Sequence, residues 1–250
     1  MSETTTSRRR CRAALRHISV VAVAGLFTIG CGTDEDRLVV FAASSLDDVM
    51  SEIGEAFEEQ TGVRVDVNVA ASSTLRLQLD EGAGADVFVP ADPGQIDRLA
   101  APPIGARQPI ARTRLVVAVP LDAPDVTIDR FDEAELVLGV CAPAVPCGAL
   151  ARRALASAGI VPSIDTEEPN VRSLASKIAE RELDAGIVYA TDVVADSRLR
   201  ALPIEPAVDV VYAAAPLDGD GDARDRDRFI EFLRGTVAVE ILIAAGFEAS

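Results

Sequence analysis

The chain has 250 residues, 24 basic and 40 acidic, a net charge of −16 at pH 7, 49% apolar residues, 4% aromatic residues and no tryptophan. Such a composition is globular and long enough for one large domain or two small ones, each with a proper core. The acidic balance and scarcity of stacking rings exclude a nucleic-acid binder, because phosphate recognition needs a basic face.

Residues 1–30 read as an export signal. Arg8, Arg9, Arg10, Arg12 and Arg16 make a basic start, and the apolar run Ile18–Ile29 is too short for a bilayer but suits a secretory core. Gly30–Cys31 is similar to a bacterial lipobox, which would make Cys31 a lipid anchor and the first mature residue. An ordinary cleaved signal is the alternative, since Thr28 stands where an aliphatic residue is usual. Removing this leader takes away five arginines, one glutamate and His17, the only histidine, and moves the net charge from −16 to −20. Ser-His-Asp and Cys-His catalysis and His-bearing zinc sites are thereby excluded, and no paired-carboxylate motif replaces them. An enzyme is not expected.

After a short linker (31–36), strand and helix signals alternate. "LVVFA" (38–42) is a buried-type strand, and from Leu46 the apolar Val49, Met50, Ile53 and Phe57 follow helical spacing. "VRVDVNV" (63–69) alternates as a strand, and 73–81 is a helix by position although Leu75, Leu77 and Leu79 repeat every two residues. "ADVFV" (85–89) is a strand, "PGQIDRLA" a helix and "RLVVAV" (114–119) a strand. Further along come a strand at 135–140, a helix at 147–159, a helix at 170–186, and strands at 185–190 and 208–216. The tail makes two helices broken near Gly235. "LDGDGDARDRD" reads as an acidic surface turn, not a calcium loop, because the remaining ligand spacing is missing. The alternation implies parallel sheets flanked by helices, in two lobes. Lobe 1 is expected at 37–115 plus 208–250 and lobe 2 at 116–207, with crossings near Arg114–Val119 and Val208–Ala213.

In "CAPAVPCG", Cys141 and Cys147 are expected to form a disulfide in an exported chain; a metal pair is the alternative but lacks further ligands. Closing about seven residues contributes roughly 2 kcal/mol on the chain-entropy estimate.

Ala42–Ser45 and Ala70–Ser73 are the same four letters, "AASS", 28 positions apart. One βαβ unit has about that length. Right-handed crossovers then put both serine pairs at the carboxyl ends of parallel strands, each at a helix start with unpaired N–H groups. Hydroxyls added there make a neutral cage of donors suited to an oxyanion. Taken singly, each pair could equally be a helix cap, and Asp47 and Asp48 would repel an anion unless they point away.

These motifs, "VFAASSLDDVM" and "ASSTLRLQLDEGAGADVFVPAD", followed by "VPCGALARRAL", "PNVRSLASKI", "GIVYATDVV" and the terminal "AAGF", resemble the periplasmic molybdate-binding proteins of ABC importers. The resemblance covers Arg37–Phe247. It implies a class II periplasmic-binding-protein fold (α/β, two lobes, each a mainly parallel sheet flanked by helices) that closes over tetrahedral molybdate or tungstate. By position, the family's serine ligands fall on Ser45 and Ser72, its backbone donors on Cys147 and Val171, and its tyrosine hydroxyl on Tyr189. Cys147 replaces the small residue usual before Gly148. The implied partners are the oxyanion, a membrane permease and, through Cys31, the membrane; no cofactor, free metal ion or nucleic acid is implied, and a monomer is expected. The location is the cell envelope or periplasm. Sulfate and ferric iron are the alternative ligands. Iron sites of this fold pair tyrosines, and Tyr189 and Tyr212 stand well apart in the sequence.

A net charge of −20 opposes the approach of a dianion. Molybdate association should therefore speed up as salt is added, until screening saturates. Stopped-flow on-rates that fall steeply with salt would contradict this.

Overall fold

The computed structural model describes residues 37–249. The expected export signal (1–30), the linker (31–36) and the candidate anchor Cys31 lie outside the described residues. β1 (Arg37–Ala43) runs through a 3₁₀ turn (Ser44–Leu46) into α1 (Asp47–Thr61). α1 buries Val49, Met50, Ile53 and Phe57 on one face and ends at Gly62, whose φ of 78° is the left-handed stop that glycine adopts without penalty. β2 (Arg64–Ala70) lies parallel to β1, and the register joins Ala43 to Ala70. α2 (Ser72–Asp80) settles the leucine repeat as helical: Leu75 is buried and Leu77 faces solvent. β3 (Val87–Val89), parallel to β1, and α3 (Pro93–Asp97) follow.

β4 (Gln108–Pro120) is thirteen residues long, far beyond the stretch expected at 114–119. Beyond it come β5 (Leu138–Cys141), α4 (Pro146–Ser157), β6 (Thr166–Glu168), α5 (Val171–Ala179), β7 (Ala185–Tyr189), α6 (Ala190–Ala195) and β8 (Leu199–Pro203). β5 pairs in parallel with both β6 and β7. β9 (Asp209–Pro216), α7 (Ala223–Phe232), α8 (Thr236–Ala244) and β10 (Glu248–Ala249) complete the described residues.

The strands run in the order β2-β1-β3-β9-β4-β7-β5-β6. A parallel triplet stands at each end, and the long strands between them join antiparallel: β9 to β3 and β4, and β4 to β7. β4 changes partner in mid-strand. Arg114 pairs with Asp209 of β9, and the next residue, Leu115, pairs with Tyr189 of β7.

Several elements differ from the sequence reading. α5 stops at Ala179, not 186, whereas β7 starts at Ala185 as expected. β6, α6, β8 and β10 carried no readable signal, because two to six residues are too few to show a period. The "DGDGD" stretch is not simply a solvated turn. Asp86, buried beside β3, accepts from Val39 N at 2.7 Å and Gly221 N at 2.8 Å. A Cβ at Gly219 would stand 2.3 Å from the Asp86 carboxylate, so the glycines are there to let the loop close on it.

Candidate functional site

Two triplets face each other with the same construction. In the first, Ala43 and Ala70 end β1 and β2 side by side, and the Ser44–Leu46 turn and α2 start directly after them. In the second, Cys141 and Glu168 end β5 and β6 side by side, followed by the starts of α4 and α5. Ala43, Ala71 and Val145 sit at the cap positions of the turn, α2 and α4, and none gives a side-chain cap bond. The first N–H groups of those turns are therefore left for something else. At α5, Asn170 Oδ1 accepts from Ser173 N at 2.9 Å, and Val171, the first helical residue, keeps its N–H.

These ends enclose one narrow cleft. It is lined by Ala43, Ser44, Ser45, Ala71, Ser72, Ala91, Val145, Pro146, Cys147, Asn170, Val171 and Tyr189. All five sequence-derived residues (Ser45, Ser72, Cys147, Val171 and Tyr189) are brought together here. The cleft is tight, so only a compact ligand suits it. Among the described residues, no charged side chain lines it. Asp47 and Asp48 are outside the lining, and Asp48 turns to Arg172 of α5, whose Nη1 and Nη2 donate to its Oδ2 at 2.9 and 3.0 Å. That ion pair joins the two sides of the cleft.

The repeated "AASS" is not symmetric in three dimensions. Letter for letter, Ser44 matches Ser72 and Ser45 matches Ser73, yet the cleft takes both serines of the first pair and only Ser72 of the second. The strand register explains the shift, because Ala43 pairs with Ala70 and not with Ala71. Ser72 Oγ accepts from Ala91 N at 3.0 Å, which leaves its hydroxyl proton to be donated. Cys147 is disulfide-bonded to Cys141, with Cα atoms 5.7 Å apart, so the end of β5 is tied to the first turn of α4.

Sequence separation misled on the tyrosines. Tyr189 and Tyr212 are 23 positions apart, but their rings meet edge to face with centroids 6.4 Å apart. Tyr212, fully buried behind the cleft, bonds through its hydroxyl to Ser45 Oγ at 2.9 Å. Burial, then the neighbouring Tyr212 and Asp192, push the Tyr189 phenol well above its ordinary pKa; Tyr212 is raised by burial and Asp192 against the effect of its bond with Ser45. Both phenols stay protonated at neutral pH, which suits hydrogen-bond donation and opposes phenolate ligation of iron. The role of Tyr212 had no signal in the sequence except its being one of two tyrosines.

The family model for bacterial extracellular solute-binding proteins matches residues 38–248. The chain belongs to that family. This solute-binding protein is 31% identical to the molybdate-binding protein ModA of Mycobacterium tuberculosis, across 92% of this chain and 95% of the relative. Its fold matches the periplasmic molybdate-binding protein of Azotobacter vinelandii (TM-score 0.71, 21% identity, 85% of this chain and 99% of that one). It also matches the sulfate-binding protein SubI of M. tuberculosis (TM-score 0.73, 13% identity, 85% and 86%). The α/β periplasmic-binding-protein architecture and a non-enzymatic binding role follow from this membership. A solute-binding protein of this family works outside the cytoplasm.

Asp192, at the start of α6, adds a titrating group behind the site. Its Oδ2 accepts from Tyr189 N at 3.0 Å. Burial raises its carboxyl to about 7, against the opposing effects of that N–H and of Arg172. The unfolded chain would release this proton near pH ~3.9. Because the folded state holds this proton more tightly, the contribution of Asp192 to stability is highest in acid and falls as pH rises from about 4 to about 7, then levels off. Asp192→Asn keeps an acceptor oxygen and removes the charge. Its melting temperature relative to the wild type should improve steadily between those limits; a constant difference across pH would show that Asp192 is ionised in the folded chain.

Proposed function

We propose that this chain is the molybdate-capturing component of an ABC importer, taking tungstate as well, with Ser45, Ser72, Cys147, Val171 and Tyr189 holding the anion. Hydroxyl donors at Ser45, Ser72 and Tyr189 would act with the backbone N–H groups of Cys147 and Val171. The reading is carried by the uncharged, donor-lined cleft between two sets of helix starts. Molybdate at neutral pH is fully deprotonated and offers only acceptors, so each such group can give it one bond. Bonds to a charged acceptor contribute about 1.5–3 kcal/mol each, enough in sum for tight binding without any cation. The relatives from Mycobacterium bovis and Escherichia coli, with 95% and 90% of their length aligned to this chain, are named for molybdate, which supports the same anion.

Sulfate is the second reading, favoured by the likeness to SubI. It too is a bare dianion, and the smaller ion would span fewer of the donors at once. Ferric iron is poorly served by a lining that holds no carboxylate. Calorimetric titration with molybdate, tungstate, sulfate and phosphate tests the proposal. Molybdate and tungstate should bind far more tightly than the other two. Equal heats for all four, or a preference for sulfate, overturn it.

Delivery would follow lobe closure about β4 and β9, with the division at 37–115 plus 208–250 against 116–207. The change of partner between Arg114 and Leu115 supports a hinge there. Docking on a membrane permease, and anchoring through lipid on Cys31, complete the proposal.

In this scheme the Asp48–Arg172 pair latches the closed form. Asp48→Asn or Arg172→Gln should weaken molybdate binding by about threefold at low salt, the scale of an exposed pair. Asp48→Arg combined with Arg172→Asp should recover most of the loss. Calorimetry in which the reversed pair is no better than the single variants would remove the latch.

A further inference from the structure

The hydroxyls of Ser45 and Ser72 are both already bonded from behind the cleft. Ala91 N donates to Ser72 Oγ, which fills one of its two acceptor positions and leaves its proton free to be given to the cleft. Tyr212 stands in the same relation to Ser45, and the direction of that bond can be deduced. Tyr212 is fully buried, and its hydroxyl has no partner among the described residues other than Ser45 Oγ. Were Ser45 the donor, the phenolic proton would be left buried without an acceptor, which costs about 1–3 kcal/mol. Ser45, by contrast, lines the open cleft and has a second direction for its proton.

We propose that Tyr212 is a specificity-determining positioning residue: by donating to Ser45 Oγ it obliges Ser45 to donate into the cleft, so that oxyanions carrying a proton are turned away. The proposal rests on the molybdate reading and deepens it. A bare dianion accepts from both serines. Hydrogen phosphate must also place a proton, and a serine with one acceptor position taken from behind and its own proton turned to the cleft meets that proton less well than it meets a bare oxygen. The packing around Tyr212 holds this arrangement in place. Phe247 meets its ring edge to face at 5.4 Å and Tyr189 at 6.4 Å, so the hydroxyl cannot swing to another acceptor.

The test is calorimetric titration of the full chain with molybdate and with phosphate. Tyr212→Phe removes one oxygen and keeps the ring, freeing Ser45 Oγ to accept. The preference for molybdate over phosphate should shrink by about tenfold, the equivalent of one modest hydrogen bond. Phe247→Leu loosens the same ring but keeps the hydroxyl, and should shrink the preference far less than Tyr212→Phe does. Adding Ser45→Ala to Tyr212→Phe should give the preference of Ser45→Ala alone. A Tyr212→Phe protein that loses both anions by the same factor overturns the proposal, as does an effect that survives Ser45→Ala. Should Tyr212→Phe not fold, the tyrosine Raman bands of the wild type serve instead, since the chain has two tyrosines and no tryptophan. A phenol that donates supports the proposal, and one that accepts overturns it. Wild-type protein that binds no molybdate at all, while its Raman bands show the donating phenol, defeats the molybdate reading and not the bond direction.

Discussion

Ser45→Ala and Ser72→Ala are each expected to lower molybdate affinity by about 10- to 100-fold, the equivalent of one bond to a charged acceptor. The cleft is narrow and has no charged side chain in its lining, so neither a lysine nor a bulk of water can replace a lost donor. Each substitution also strands a partner behind the cleft. Ser72→Ala leaves the buried Ala91 N–H without an acceptor, and Ser45→Ala does the same to the Tyr212 hydroxyl. Thermal stability without anion should therefore fall by about 1–3 kcal/mol in each variant, on top of the binding loss. Calorimetry and thermal melts check both parts. A melt that shifts while molybdate affinity holds within about twofold would mean that these serines support the fold and do not touch the anion.

Gly148→Ala should have the largest effect on folding. Gly148 follows Cys147 in the first turn of α4, pressed against the chain that leaves β5. A Cβ there would lie 2.0 Å from the Ala142 carbonyl oxygen and 2.4 Å from that of Cys141. Both are backbone atoms, and the Cys141–Cys147 bond ties the same segment, so nothing flexible can give way. The helix start must move outward, at a cost of about 3 kcal/mol or more. Moving it also re-aims the Cys147 N–H, so molybdate binding should be lost together with stability. Thermal melts and titration of the same preparation measure both. A Gly148→Ala protein that melts like the wild type would show that the α4 start is not packed as described.

Much of the site was legible along the chain because each strand and the helix after it are consecutive residues. Two helix starts preceded by serines, one crossover apart, already point to an anion, and the resemblance named Cys147, Val171 and Tyr189. The repeat alone could not say which serine of the second pair would face the cleft; only the resemblance named Ser72. Ser72 and not Ser73 faces it because β1 and β2 pair with Ala43 beside Ala70, one residue out of step with the repeat. Nor could Asp48 be cleared as a repelling charge, since its partner Arg172 is 124 residues away.

By itself, then, the sequence determined the alternation of strands and helices and the neutral donors at the strand ends. These follow from composition and local periodicity, which act over a few residues. Tertiary structure alone decided that β4 would change partners at Leu115, that Tyr212 would lie behind Ser45, and that two far-separated charges would meet across the cleft. Such pairings depend on strand register and on which buried groups lack another partner, and neither is a property of any single stretch of chain.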